Sequence, residues 1–263
     1  GVSVYVTAPE AVLAEATPIT TFNLREFTDA LTVPAGDYRI RITPAASSTV
    51  VFDSGTVTLP GGADLMILAV DSFSPGSPVK LLVSTGNADA DFVIADANMP
   101  AELRVVHAAS GVGPADVFAS SAELALDNVE IVDGIGFRND ISVGDLSPAT
   151  DYTVRVNADG AGADGAPIEV TGIELKAGSY YTAVAAGNLP DVGEADLALL
   201  LGEDDRRGVA TEVRLRAIHA ASLAGTVTVF VTPAGSVDLE EIEKGDEKNP
   251  ALPVLEYQQV TPY

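Results

Sequence analysis

No cysteine or tryptophan occurs anywhere in the chain, and cationic side chains are scarce. Without cysteine there is no disulfide scaffold, no thiolate metal site and no thiol nucleophile. Lys and Arg together number 14 against 38 Asp and Glu, a net charge of −24. A surface this acidic repels phosphate backbones and anionic headgroups, so neither a nucleic-acid partner nor membrane insertion is expected. Aromatic residues make up 6% of the chain, too few to read as a platform for stacking on sugar rings. No apolar stretch approaches the length of a membrane-spanning helix, and no basic-then-apolar leader opens the sequence, so Gly1 is read as the start of a mature or trimmed form.

What is present is a hydrophobic content of 47% over 263 residues, enough for about two cores. The apolar residues alternate. Val2, Val4 and Val6 share one strand face, and in Tyr38–Ile42 the arginines Arg39 and Arg41 take the face opposite Ile40 and Ile42. Tyr152–Val156 and Val227–Val231 repeat the arrangement, with turn formers such as Pro34–Asp37, Pro60–Gly62, Ser74–Pro78 and Ala177–Ser179 between runs. Leu65–Val70 and Tyr181–Ala186 are apolar throughout, which predicts central strands covered on both faces. Helix signals are confined to Ala8–Ala16 and Val237–Lys244.

Segments recur. Leu103-Arg104-Val105-Val106-His107-Ala108-Ala109-Ser110 returns as Leu215-Arg216-Ala217-Ile218-His219-Ala220-Ala221-Ser222, 112 residues later. Pro34–Ile42 returns as Pro148–Val156, and Leu59–Leu68 as Leu175–Val184, while Val2–Thr7 resembles Val227–Thr232. The unit is about 110 residues, the size of a small β-sandwich. The expected class is all-β: tandem immunoglobulin-like or transthyretin-like β-sandwich domains. The expected division is a first repeat over 1–98 that lacks its first strand, a complete repeat over 101–209, and a partial repeat or strand-donating segment over 211–263.

The segments Leu103–Ser110, Ala115–Phe118, Leu146–Val156 and Leu175–Thr182 resemble the domain of unknown function 4397 family. The resemblance implies β-sandwich modules, typically in tandem, in exported or cell-surface proteins, and it carries no catalytic residues. The chain has His-Ala-Ala-Ser where the family more usually has His-Ala-Ser-Pro.

Candidate site residues are few. His107 and His219 fall on the apolar face of their strands, so they read as buried structural rings held by the following turn, with Ser110 and Ser222 as partners. Asn157, Asp159 and Asp164, interleaved with glycines, have the residue types of a calcium loop but lack the closing Glu of an EF-hand. Calcium is the one cofactor such a loop would take. Asn87, Asp89 and Asp91, and Glu203–Asp205 before Arg206 and Arg207, lie at unit boundaries where salt bridges would stiffen the junction. Gly134-Ile135-Gly136 is too short for a dinucleotide fingerprint.

The expectation is a non-enzymatic, secreted structural or adhesive surface protein that self-associates head-to-tail by strand complementation into filaments. A ligand- or calcium-binding extracellular module is the alternative.

Overall fold

The computed structural model describes residues 1–72, 77–188, 197–206, 211, 213, 215–231 and 254–261. It is an all-β protein in two compact units, Gly1–Ala101 with Lys176–Gly178, and Glu102–Leu175 with Ser179–Tyr263.

In the first unit, β1 (Val2–Thr7), β2 (Thr20–Phe22), β3 (Gly36–Pro44) and β4 (Phe52–Leu59) form a sheet in the order β2-β1-β3-β4. A second sheet runs β5 (Met66–Asp71), β6 (Val79–Ser84), β7 (Phe92–Ile94). Alternation supplies the core between them. Ile40, Ile42 and Phe52 from the first sheet meet Leu81, Val83 and Ile94 from the second, with Val2, Val4 and Val6 packed against the cluster. This is the two-layer solution for half-apolar strands.

The second unit has the same plan with one strand more. β9 (Ala115–Ser121), β10 (Leu126–Ile135), β12 (Ala149–Ala158) and β13 (Ile168–Leu175) form a sheet ordered β10-β9-β12-β13. The other sheet is ordered β11-β8-β14-β15, from β8 (Ala101–His107), β11 (Asp140–Leu146), β14 (Tyr180–Ala186) and β15 (Ala198–Asp204). Leu103, Val105, Ala183, Leu199 and Leu201 face Val117, Val154, Ile173 and Leu175 across a residual gap of about 10 Å³. β8 and β14 run parallel, from Tyr180 opposite Glu102 to Ala185 opposite His107.

Two expectations meet different outcomes here. Tyr181–Ala186 is buried at every position and lies between β8 and β15, as its continuous apolar run predicts. Leu65–Val70 reads the same way in sequence, yet β5 is the outer strand of its sheet, with Met66 60% and Ile67 40% exposed. The reason is topological: among the described residues, nothing takes the place beside β5 that β8 takes beside β14. Of the turn or two of helix that Ala8–Ala16 could hold, one 3-10 turn forms, Leu13–Glu15. The one expected over Val237–Lys244 lies outside the described residues. Residues 211–263, read as a third segment, cluster with the second unit.

Candidate functional site

The recurring polar residues are the first place to look for chemistry. His107 closes β8 with 1% of its surface exposed. Its Nε2 faces the Gly113 carbonyl at 2.9 Å, and its Nδ1 accepts the Ala109 N–H at 3.3 Å. With Nδ1 accepting, Nε2 carries the proton and donates, which fixes one neutral tautomer. The ring stands edge-on to Phe137, with centroids 6.0 Å apart. His219 repeats the arrangement: Nε2 on the Gly225 carbonyl, Nδ1 accepting from Ala221 N–H, Tyr257 edge-on at 6.1 Å. Both ring nitrogens are spent on the backbone of the turn after the strand. Ser110 and Ser222 do not reach the rings. Both hydroxyls hydrogen-bond the side-chain amide of buried Asn188, beside the short parallel bridge of Ser110 and Asn188.

A second repeated device is a tyrosine hydroxyl turned back on its own approach. Tyr152 is 1% exposed and donates to the Ser147 carbonyl at 2.8 Å; Tyr38 donates to the Pro34 carbonyl, also at 2.8 Å. This is the corner that β-sandwiches use to fix a strand entry. Burial, then the Asp151 charge, raises the Tyr152 phenol above its ordinary range.

A third device escapes a sequence search because its residues do not match. At Asn23–Glu26, Gly136–Asn139 and Glu256–Gln259 the chain makes the same turn, the last N–H donating to the first carbonyl at 3.1 Å each time. Arg25, Arg138 and Gln258 hold φ of 70°, 67° and 69° at the third position. The second position carries Leu24, Phe137 or Tyr257. Phe137 and Tyr257 cover a histidine; Leu24 is 89% exposed.

The calcium-loop residues do not come together as a set. Asn157 Nδ2 donates to the Gly162 carbonyl at 2.8 Å and its Oδ1 accepts the Ala158 N–H, so this side chain shapes the hairpin tip, and Asp164 offers it only a backbone carbonyl. Asp159 instead converges with Asp116 and Asp133, carboxylate oxygens of all three lying within 4.8 Å of one another. Asp116 is buried, and its two oxygens accept the Gly134 and Gly160 N–H groups at 2.8 Å each. Loss of hydration and then the charges of Asp116, Asp133 and Asp159 push the neighbouring Glu130 carboxyl above its ordinary value. Asp116 and Asp133 are too far apart in sequence from Asp159 for spacing to have linked them.

Several acidic groups at the two boundaries bond within the chain. Asp91 accepts the Thr85 N–H at 2.7 Å. At the second boundary Asp204 pairs with Arg216 at 2.9 Å, both side chains largely buried, and Arg206 pairs with Glu102 at 3.1 Å while stacking on Tyr180. A charge buried in this way is expensive unless paired, and Asp204 also accepts from Thr182 Oγ1 at 2.7 Å. No described helix is long and apolar enough to cross a membrane.

Two facing sheets, histidine-locked turns and tyrosine corners define a β-sandwich module. Residues 101–230, which span the complete second sandwich, match the family model described as "Domain of unknown function (DUF4397)". No match was found among curated proteins. Among solved structures, nine chains match. A provisionally named cell adhesion protein from Bacteroides ovatus ATCC 8483 is 10% identical, covers 77% of this chain and 85% of its own, and has a TM-score of 0.27. A second provisionally named cell adhesion protein, from Bacteroides fragilis NCTC 9343, is 13% identical over 81% of this chain and 86% of its own, with a TM-score of 0.21. Superpositions this loose carry no argument about function.

Proposed function

We propose that the chain is a non-enzymatic structural or adhesive module of an extracellular surface protein. The observation that carries this reading is the use to which the recurring polar groups are put. Both histidines and both corner tyrosines bond the backbone of their own turns. Acid–base catalysis needs such groups free to meet a substrate. A strongly acidic surface suits a module that must stay dispersed in salt. Antibody labelling of intact producing cells tests the reading: signal before lysis is the expected result, and signal appearing only after lysis overturns it.

The alternative, a calcium-binding module, draws on the convergence of Asp116, Asp133 and Asp159. Melting with calcium against magnesium separates the two readings. A rise specific to calcium and lost in Asp133→Asn supports the alternative; an unchanged midpoint leaves the trio as a buckle between β9, β10 and the β12 hairpin.

A further inference from the structure

We propose that the second copy of the recurring octapeptide, Leu215–Ser222, is a two-point clasp that locks the segment it opens onto the second sandwich in one orientation. The proposal deepens the structural reading above, and its failure leaves that reading standing.

The receiving surface is the outer face of β14 and β15. Side chains alternate along a strand, so with Ala183 lining the core, Thr182 points to the opposite face. Leu199 and Leu201 line the core from β15, which puts Gly202 and Asp204 on the same outer face, Gly202 directly opposite Thr182. Asn188 lies six residues beyond Thr182 and is 3% exposed.

Both copies of the octapeptide meet this surface with the same two residues. In the first copy, Arg104 donates to Thr182 Oγ1 at 3.1 Å and Ser110 hydrogen-bonds the Asn188 amide. In the second, Arg216 donates to Asp204 Oδ1 at 2.9 Å, while Thr182 Oγ1 donates to the other oxygen of that carboxylate at 2.7 Å. Ser222 hydrogen-bonds the Asn188 amide at 2.6 Å. Arginine and serine stand six residues apart in each copy, as do Thr182 and Asn188. For β8 the match follows from its parallel ladder, with Arg104 opposite Thr182 and Ser110 bridged to Asn188. The places beside β14 in the sheet are taken by β8 and β15. Leu215–Ser222 therefore runs across the outer face in the same direction and register, gripped by its arginine and its serine.

Two features fit a lock rather than a chance contact. The Arg216 and Asp204 side chains are only 11% and 3% exposed. A buried pair adds little net stability, yet separating its partners is costly, so it favours one arrangement over others. Gly202 is the second feature. A Cβ there would run into the Arg216 guanidinium, and a glycine inside a strand marks such a close approach. The clasp also carries what is bonded to it. Ala217 N–H donates to Thr261 Oγ1 at 2.9 Å, His219 N–H to the Gln259 carbonyl at 3.0 Å, and Val227 and Leu255 exchange backbone bonds.

Hydrogen exchange on the full chain, read peptide by peptide, tests the clasp. Gly202→Ala fills the space of the guanidinium, and Ser222→Ala removes the second grip. Each is expected to speed exchange across 215–222 about ten-fold while β9 and β12 keep their rates. Gly144→Ala on β11, where a Cβ meets nothing within 4 Å, is expected to change neither. Unaltered exchange over 215–222 in either clasp variant overturns the proposal, as does fast exchange there in the unmodified chain. Acceleration of β9 and β12 in step with 215–222 also overturns it, because the segment is then part of one cooperative core. None of these outcomes bears on the labelling of intact cells.

Discussion

At the residue scale, the recurring side chains act on backbone. The Tyr152 hydroxyl satisfies one buried carbonyl, that of Ser147. Tyr152→Phe removes the donor and keeps the ring, so the expected loss is that of one buried hydrogen bond, about 1 kcal/mol by denaturant melting. His107 does more. Its ring fills a fully buried position and satisfies the Gly113 carbonyl and the Ala109 N–H together. His107→Ala combines a cavity with two stranded backbone groups, and the expected loss is about 2–4 kcal/mol. A loss well below 1 kcal/mol in that variant would show that the ring is not structural and would reopen a chemical role for it.

At the scale of elements, carboxylates are the fasteners, and they give stability a pH dependence with a definite sign. Burial alone would raise Asp53, but the Arg39 guanidinium, at 2.6–3.1 Å, and the Gly55 N–H outweigh it and hold the carboxyl below its ordinary value. Ser121 Oγ, with the Glu123 and Ala122 N–H groups, does the same for Asp151 at the β9–β10 turn. A depressed folded-state value means stability that is complete above the unfolded value near 3.8 and is lost as pH falls through the lower folded value. Glu130 has the opposite sign. Its raised carboxyl penalises the fold when ionised, and acidification towards its ordinary value of 4.5 relieves that penalty. Melting temperature is therefore expected to hold or rise slightly as pH falls from 7 to about 5, then drop below about 4. A steady decline beginning at pH 6 contradicts these assignments. The strands themselves were legible in the sequence: alternation located β1, β3 and β12, a continuous apolar run located β14, and the repeated octapeptide located β8. The position of β5 was not, because an apolar run reads alike at the centre of a sheet and at an edge whose neighbour lies elsewhere. Nor was the Asp116–Asp133–Asp159 group, which exists only once β9, β10 and the β12 hairpin lie side by side. The matching turns at Arg25, Arg138 and Gln258 share a backbone conformation and no side chain, so no residue pattern marks them.

At the scale of the whole molecule, the dominant quantity is charge. If each of the 14 cationic residues neutralised one carboxylate, the chain would still carry −24. The ion pairs Arg39–Asp53 and Arg216–Asp204 are partly or fully withdrawn from solvent, so salt weakens them little, while repulsion among the exposed carboxylates is open to screening. The screening length falls from about 10 Å at 0.1 M to about 3 Å at 1 M, shorter than most separations between surface charges. Raising sodium chloride from 0.05 to 1 M is therefore expected to raise the melting temperature, and potassium chloride should do so equally, because the effect is one of ionic strength and not of a site. The same screening removes a barrier between copies, so any concentration-dependent association should tighten with salt rather than loosen.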